Sequence, residues 1–134
     1  MQKFNLILAC TFALLLTAPL AFAGNADQEI ATAAAHAQMA AAATDKTTAD
    51  MHLHHVINCL VGSADNRFDV KAGNPCNGMG NGAIHDLGHA PAEHIRLQRA
   101  LMYSERALHD KNLDGTKQAA KRAAEVLKQA SGSK

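Results

Sequence analysis

The chain has 134 residues, with 13 Lys and Arg against 12 Asp and Glu, a formal net charge of +1 with histidine neutral. Reading residues 1–23 as a signal peptide leaves 111, enough for a single small domain over 24–134. Once Lys3 is removed the charges balance at 12 against 12, so there is no basic footprint for nucleic acid and no acidic tail. Aromatics at 4% and the absence of Trp exclude base-stacking platforms and aromatic-lined pockets.

The 48% hydrophobic share misleads, because 23 of the mature residues are Ala and only 22 are Ile, Leu, Val, Met, Phe or Tyr. A core that thin excludes a large multi-layer enzyme fold and favours a covalent staple or a bound ion.

Lys3, the apolar run from Phe4 to Phe22 and the ending Ala21-Phe22-Ala23 describe a secretory signal cleaved after Ala23. The expected location is a bacterial periplasm, with no membrane association after cleavage. Export leaves Cys59 and Cys76 in an oxidising compartment, where the expectation is one structural disulfide. A free thiolate ligand at Cys59 is the competing reading.

The periodicity predicts four helices and no strand. The first runs from Ala26 to Ala43, with Ile30, Ala34, Ala37 and Ala41 at helical spacing, and Thr44-Asp45-Lys46-Thr47 breaks it. The second runs from about Thr48 to Val61 and stops at Gly62. Five glycines, Pro75 and four asparagines then make a loop from Gly62 to Ile84, long enough to need a function or a tether. Pro91 opens a third helix reaching about Asp110, and Asp114 caps a fourth from Gly115 to Ala130. The expected architecture is all-α: an up-and-down four-helix bundle whose Gly/Asn-rich crossing loop is pinned by the disulfide.

The chemistry resides in eight histidines, all in the mature part. On a helical wheel Leu53, Val56, Ile57 and Leu60 face the core. His52, His55 and Cys59 share one flank of that stripe, while Met51, His54 and Asn58 point outward. His52 and His55, at i, i+3, meet on one face and could chelate a single ion through neutral imidazole nitrogens. A second group, His85, Asp86, His89 and His94, sits at the entrance to the third helix. His52, His55, His89 and His94 are the expected ligands, with His85 and Asp86 auxiliary, provided the two groups converge. His36, His54 and His109 read as ordinary surface or core residues, and Met39, Met51, Met79 and Met102 as gap-fillers rather than thioether ligands.

Cys-x-x-Cys-His, His-Glu-x-x-His and Gly-x-Ser-x-Gly are all missing, and no nucleophile–base pair is visible, so no enzymatic activity is expected. The segments His36-Ala37-Gln38-Met39-Ala40, Tyr103-Ser104-Glu105-Arg106-Ala107-Leu108-His109 and Thr116-Lys117-Gln118-Ala119-Ala120 resemble the small metal-binding proteins of the bacterial periplasm. The resemblance implies an exported, Ala- and His-rich helical bundle that takes up divalent metals, copper among them, and carries over only to His36 and His109. Fewer histidines, a cysteine pair and the crossing loop depart from that pattern and favour one or two discrete sites over bulk storage.

The expected function is sequestration, buffering or sensing of a divalent transition metal, Cu first on affinity order, then Zn or Ni. Affinity is expected to collapse below about pH 6.5 as the imidazoles protonate. The alternative is a non-catalytic structural or partner-binding bundle. Beyond the metal ion, a homo-oligomer or another periplasmic protein is the expected kind of partner.

Overall fold

The structure, a computed structural model, describes residues 25–131, so the signal-peptide reading of 1–23 falls outside the described residues. Five α-helices account for the regular structure: α1 (Ala26–Ala42), α2 (Lys46–Val61), α3 (Ala83–Asp86), α4 (Pro91–His109) and α5 (Leu113–Ser131), with a 3-10 turn at Val70–Ala72. There is no strand among the described residues, and none of these helices is long and apolar enough to cross a membrane.

Polar caps set the boundaries. Asn25 opens α1 by accepting from the Gln28 N–H at 3.1 Å. Asp45 opens α2 through the Thr48 N–H and hydroxyl, both at 2.8 Å, so α2 begins two residues before the predicted Thr48. Asn112, rather than Asp114, caps α5 through the Gly115 N–H at 2.8 Å, and that helix also starts two residues before the expected Gly115. The predicted loop is broken by the 3-10 turn, and it ends at α3, a single turn of helix that begins at Ala83.

Helix α1 packs chiefly on α2 and α5, and α4 packs chiefly on the same two helices. The core is built from Ile30, Ala33 and Ala37 of α1, Val56 and Leu60 of α2, Leu97 and Leu101 of α4, and Ala123 and Leu127 of α5. Alanine carries the contact on α1, where Ala33, Ala37 and Ala40 are completely buried. So small a side chain lets the neighbouring helices approach closely while burying little apolar area per residue.

Three of the contacts that hold the crossing loop lie in its later half. The disulfide joins Cys59 of α2 to Cys76, 17 residues later, with their Cα atoms 5.3 Å apart. Gly62 and Gly82 cross backbone to backbone, and a Cβ on either would run into the other segment, at Asn81 or at Val61. The third point is Glu29, 1% exposed on α1, whose Oε1 accepts the Gly82 N–H at 3.0 Å. Its Oε2 is buried without a donor, so only a proton of its own can bridge to the nearby Asp86 carboxylate. Burial raises the Glu29 carboxyl to about 7. The Gly82 N–H opposes the rise and Asp86 adds to it.

Two predictions follow from these tethers. Reducing the disulfide, or replacing Cys59 and Cys76 together by Ser, is expected to lower unfolding free energy by about 3 kcal/mol in urea titrations. A loss under about 1 kcal/mol would show that the loop holds itself. For Glu29, the folded state keeps a proton that the unfolded chain releases near 4.5, so its stabilisation is complete below 4.5 and lost as pH rises through about 7. Glu29→Gln should therefore change little near pH 5 and stabilise at pH 8 by at most about 3 kcal/mol. An equal effect at both pH values would contradict the buried, proton-holding acid.

Candidate metal centre

Three imidazoles converge between α1 and α2. His36 lies on α1 beside the buried face made by Ala33, Ala37 and Ala40. His52 and His55 lie one turn apart on α2. The three-residue link at 43–45 turns the chain back, and His36 and His52 stand eight residues to either side of Thr44, level with each other across the hairpin.

His36 Nδ1 is 3.1 Å from His52 Nδ1 and 3.4 Å from His55 Nδ1. The ring centroids are 5.3 Å apart for His36 and His52, and 4.6 Å for His36 and His55. Taking one nitrogen from each ring, all three ligand atoms fall within 4.8 Å of one another. Two nitrogens bound to one ion at tetrahedral vertices, each about 2.1 Å from it, lie about 3.4 Å apart. The two separations from His36, 3.1 and 3.4 Å, are close to that value, so the cluster could hold a metal ion.

Proton bookkeeping points the same way. His55 Nε2 lies 2.7 Å from the Ala72 carbonyl and must donate to it, which in the neutral ring leaves Nδ1 bare. His36 Nδ1 faces two other nitrogens, and a single shared proton can bridge only one of those contacts. A cation accepts all three lone pairs at once.

The charged state of the rings is disfavoured at this spot. Desolvation, with His55 and His52 adding to it, lowers His36 to about 4, and desolvation followed by His55 lowers His52. Both rings are thereby held in the neutral form that metals require. A proton therefore competes for the His36 ring only well below the ordinary 6.5.

The remaining candidates lie elsewhere. His85 is exposed and contacts Asp86 at 3.3 Å, while Asp86 accepts from the Asn81 N–H at 2.6 Å and its side-chain amide at 3.2 Å. Gly88, at φ +63, ends the α3 turn, leaving His89 exposed in the link and His94 half-buried on α4. His54 pairs with Asp69 at 3.3 Å, and His109 is exposed at the end of α4. Among the described residues the one group able to hold an ion is His36, His52 and His55; it includes none of His85, Asp86, His89 and His94. Cys59 is disulfide-bonded and offers no thiolate. His36 is the residue that periodicity missed, although its mirror position to His52 about Thr44 was a usable signal.

No protein-family model, curated protein or solved structure matches the chain.

Because His36 titrates lower when folded than the ordinary 6.5, its contribution to stability is present above 6.5 and lost as pH falls toward about 4. Following the His36 ring protons by NMR should give a midpoint well under 6.5 in the metal-free protein. The midpoint should move back toward the ordinary value in a variant carrying both His52→Ala and His55→Ala. A wild-type midpoint at or above 6.5 would contradict the convergence of the three rings.

Proposed function

We propose that the protein binds a divalent transition metal through His36, His52 and His55, and sequesters, buffers or senses that metal in the periplasm after export. The observation that carries this reading is the meeting of three imidazole nitrogens from two helices at ligand spacing. An all-imidazole donor set suits Cu, Zn and Ni rather than Mg or Ca, which take oxygen ligands. Three protein ligands leave a position for water or for a ligand passed from a partner, an arrangement suited to exchange more than to permanent structural closure. We read the role as binding rather than catalysis, because the sequence offers no nucleophile–base pair.

The signal-like sequence of residues 1–23 supports the periplasmic part of the reading, and the disulfide is compatible with it. We also read the four long helices as an up-and-down bundle. The two short links at 43–45 and 110–112, and the packing of α1 and α4 each against both α2 and α5, support this arrangement.

Calorimetric titration with Cu(II), Zn(II) and Ni(II) at pH 7.5 tests the function. One ion per chain is expected. His36→Ala, His52→Ala and His55→Ala should each weaken binding at least about tenfold, whereas His85→Ala and His94→Ala should not. Binding should also raise the melting temperature, since only the folded chain assembles the site. Heats equal to those of buffer for all three metals would end the proposal, and sensitivity to His85 or His94 alone would move the site.

A further inference from the structure

Asn58 is an anomaly on α2. Its wheel position put it outward with Met51 and His54, yet it is 1% exposed. Asn is also a poor residue for a helix interior, because its amide competes for backbone partners. Here every part of that amide is used on the crossing loop. Nδ2 donates to the Asp69 carbonyl at 2.9 Å and to the Gly73 carbonyl at 2.6 Å, while Oδ1 accepts the Asp69 N–H at 2.8 Å. The two anchor points, Asp69 and Gly73, flank the 3-10 turn Val70–Ala72. Between them lies the Ala72 carbonyl that receives the His55 Nε2–H at 2.7 Å.

We propose that Asn58 is a positioning residue for the metal centre: by clamping the loop at Asp69 and Gly73 it holds the Ala72 carbonyl against His55, and so aims the bare Nδ1 of His55 at the ion. The inference rests on the metal-binding reading above and extends it from the three ligands to the element that orients one of them. Ligating imidazoles commonly donate their second N–H to a carbonyl or carboxylate, which sets ring orientation and raises ligand basicity. Losing that partner typically costs 10–100-fold in affinity. His52 has no such clamp from this loop, so the effect should fall on His55 alone. The requirement also explains why a buried polar residue stands one turn after His55, at a place where an apolar residue would pack with less desolvation cost.

The test uses the full chain with Zn(II) as the probe. In the metal-free protein, long-range proton–nitrogen NMR of the imidazoles should show His55 protonated on Nε2, with that proton hydrogen-bonded. Asn58→Asp keeps the acceptor and loses both donors, and should lower Zn(II) affinity about 10–100-fold while releasing the His55 Nε2 proton to solvent exchange. Because a buried carboxylate could prevent folding, Gly73→Ala provides a second route. Gly73 has φ +87 with open space around an added Cβ, so the change strains only the loop backbone. It should weaken Zn(II) binding several-fold and loosen the same proton. Protonation of His55 on Nδ1 in the metal-free protein, or unchanged Zn(II) affinity in either folded variant, overturns the role of Asn58 and leaves the metal centre standing. A wild type that binds no Zn(II), Cu(II) or Ni(II) overturns the centre itself, and this role with it.

Discussion

The close approach of α1 to α2 is the constraint on which the rest of the molecule depends. Ala33, Ala37 and Ala40 are wholly buried and present nothing larger than a methyl group to the helices packed on α1. Larger side chains would bury more area and stabilise more, at roughly 25 cal/mol per Å² of apolar surface. They would also hold the helices further apart, and the three imidazoles would then no longer reach a common point. The alanine content that makes the core thin is thus the same property that lets His36 lie 3.1 Å from His52.

A thin core shifts the burden of order onto polar and covalent tethers. The loop between Gly62 and Gly82 has little apolar side-chain content with which to hold itself, yet it is tied to α2 by Cys59–Cys76 and by the Asn58 amide, and to α1 by Glu29. Each buried polar atom carries a desolvation cost that a hydrogen bond must offset. Asn58 meets that cost fully, with all its amide groups bonded, whereas burial and the neighbouring Asp86 favour the uncharged form of Glu29. The two ionisable devices act in opposite senses: Glu29 stabilises more as pH falls, and His36 less. The fold therefore draws on electrostatics at two places on α1, in its first turn at Glu29 and near its middle at His36.

Much of this was legible from periodicity and caps, and the exceptions are instructive. The i, i+3 pair His52 and His55 shares a helix face whatever surrounds it, so local geometry was enough. The starts at Ala26 and Pro91 were read correctly, whereas those of α2 and α5 were each placed two residues late, because Asp45 and Asn112 are the residues that cap them. Asn58 appeared outward-facing because a wheel knows only the helix and not the loop that folds over it. The group at His85, Asp86, His89 and His94 is close in sequence, but Gly88 at φ +63 breaks the helix that would have aligned its rings.

The amino-acid order alone determined that the chain is helical, that Cys59 and Cys76 are suitably placed to pair, and that two histidines project together from α2. All of these depend on interactions within a few residues, or on the lack of any other candidate. Only the tertiary structure decided that His36 is the third member, that Asn58 lies beneath a loop, and that the later histidines stay apart. Those outcomes depend on which helix faces lie against each other and how closely, and that is set by packing summed over the whole chain.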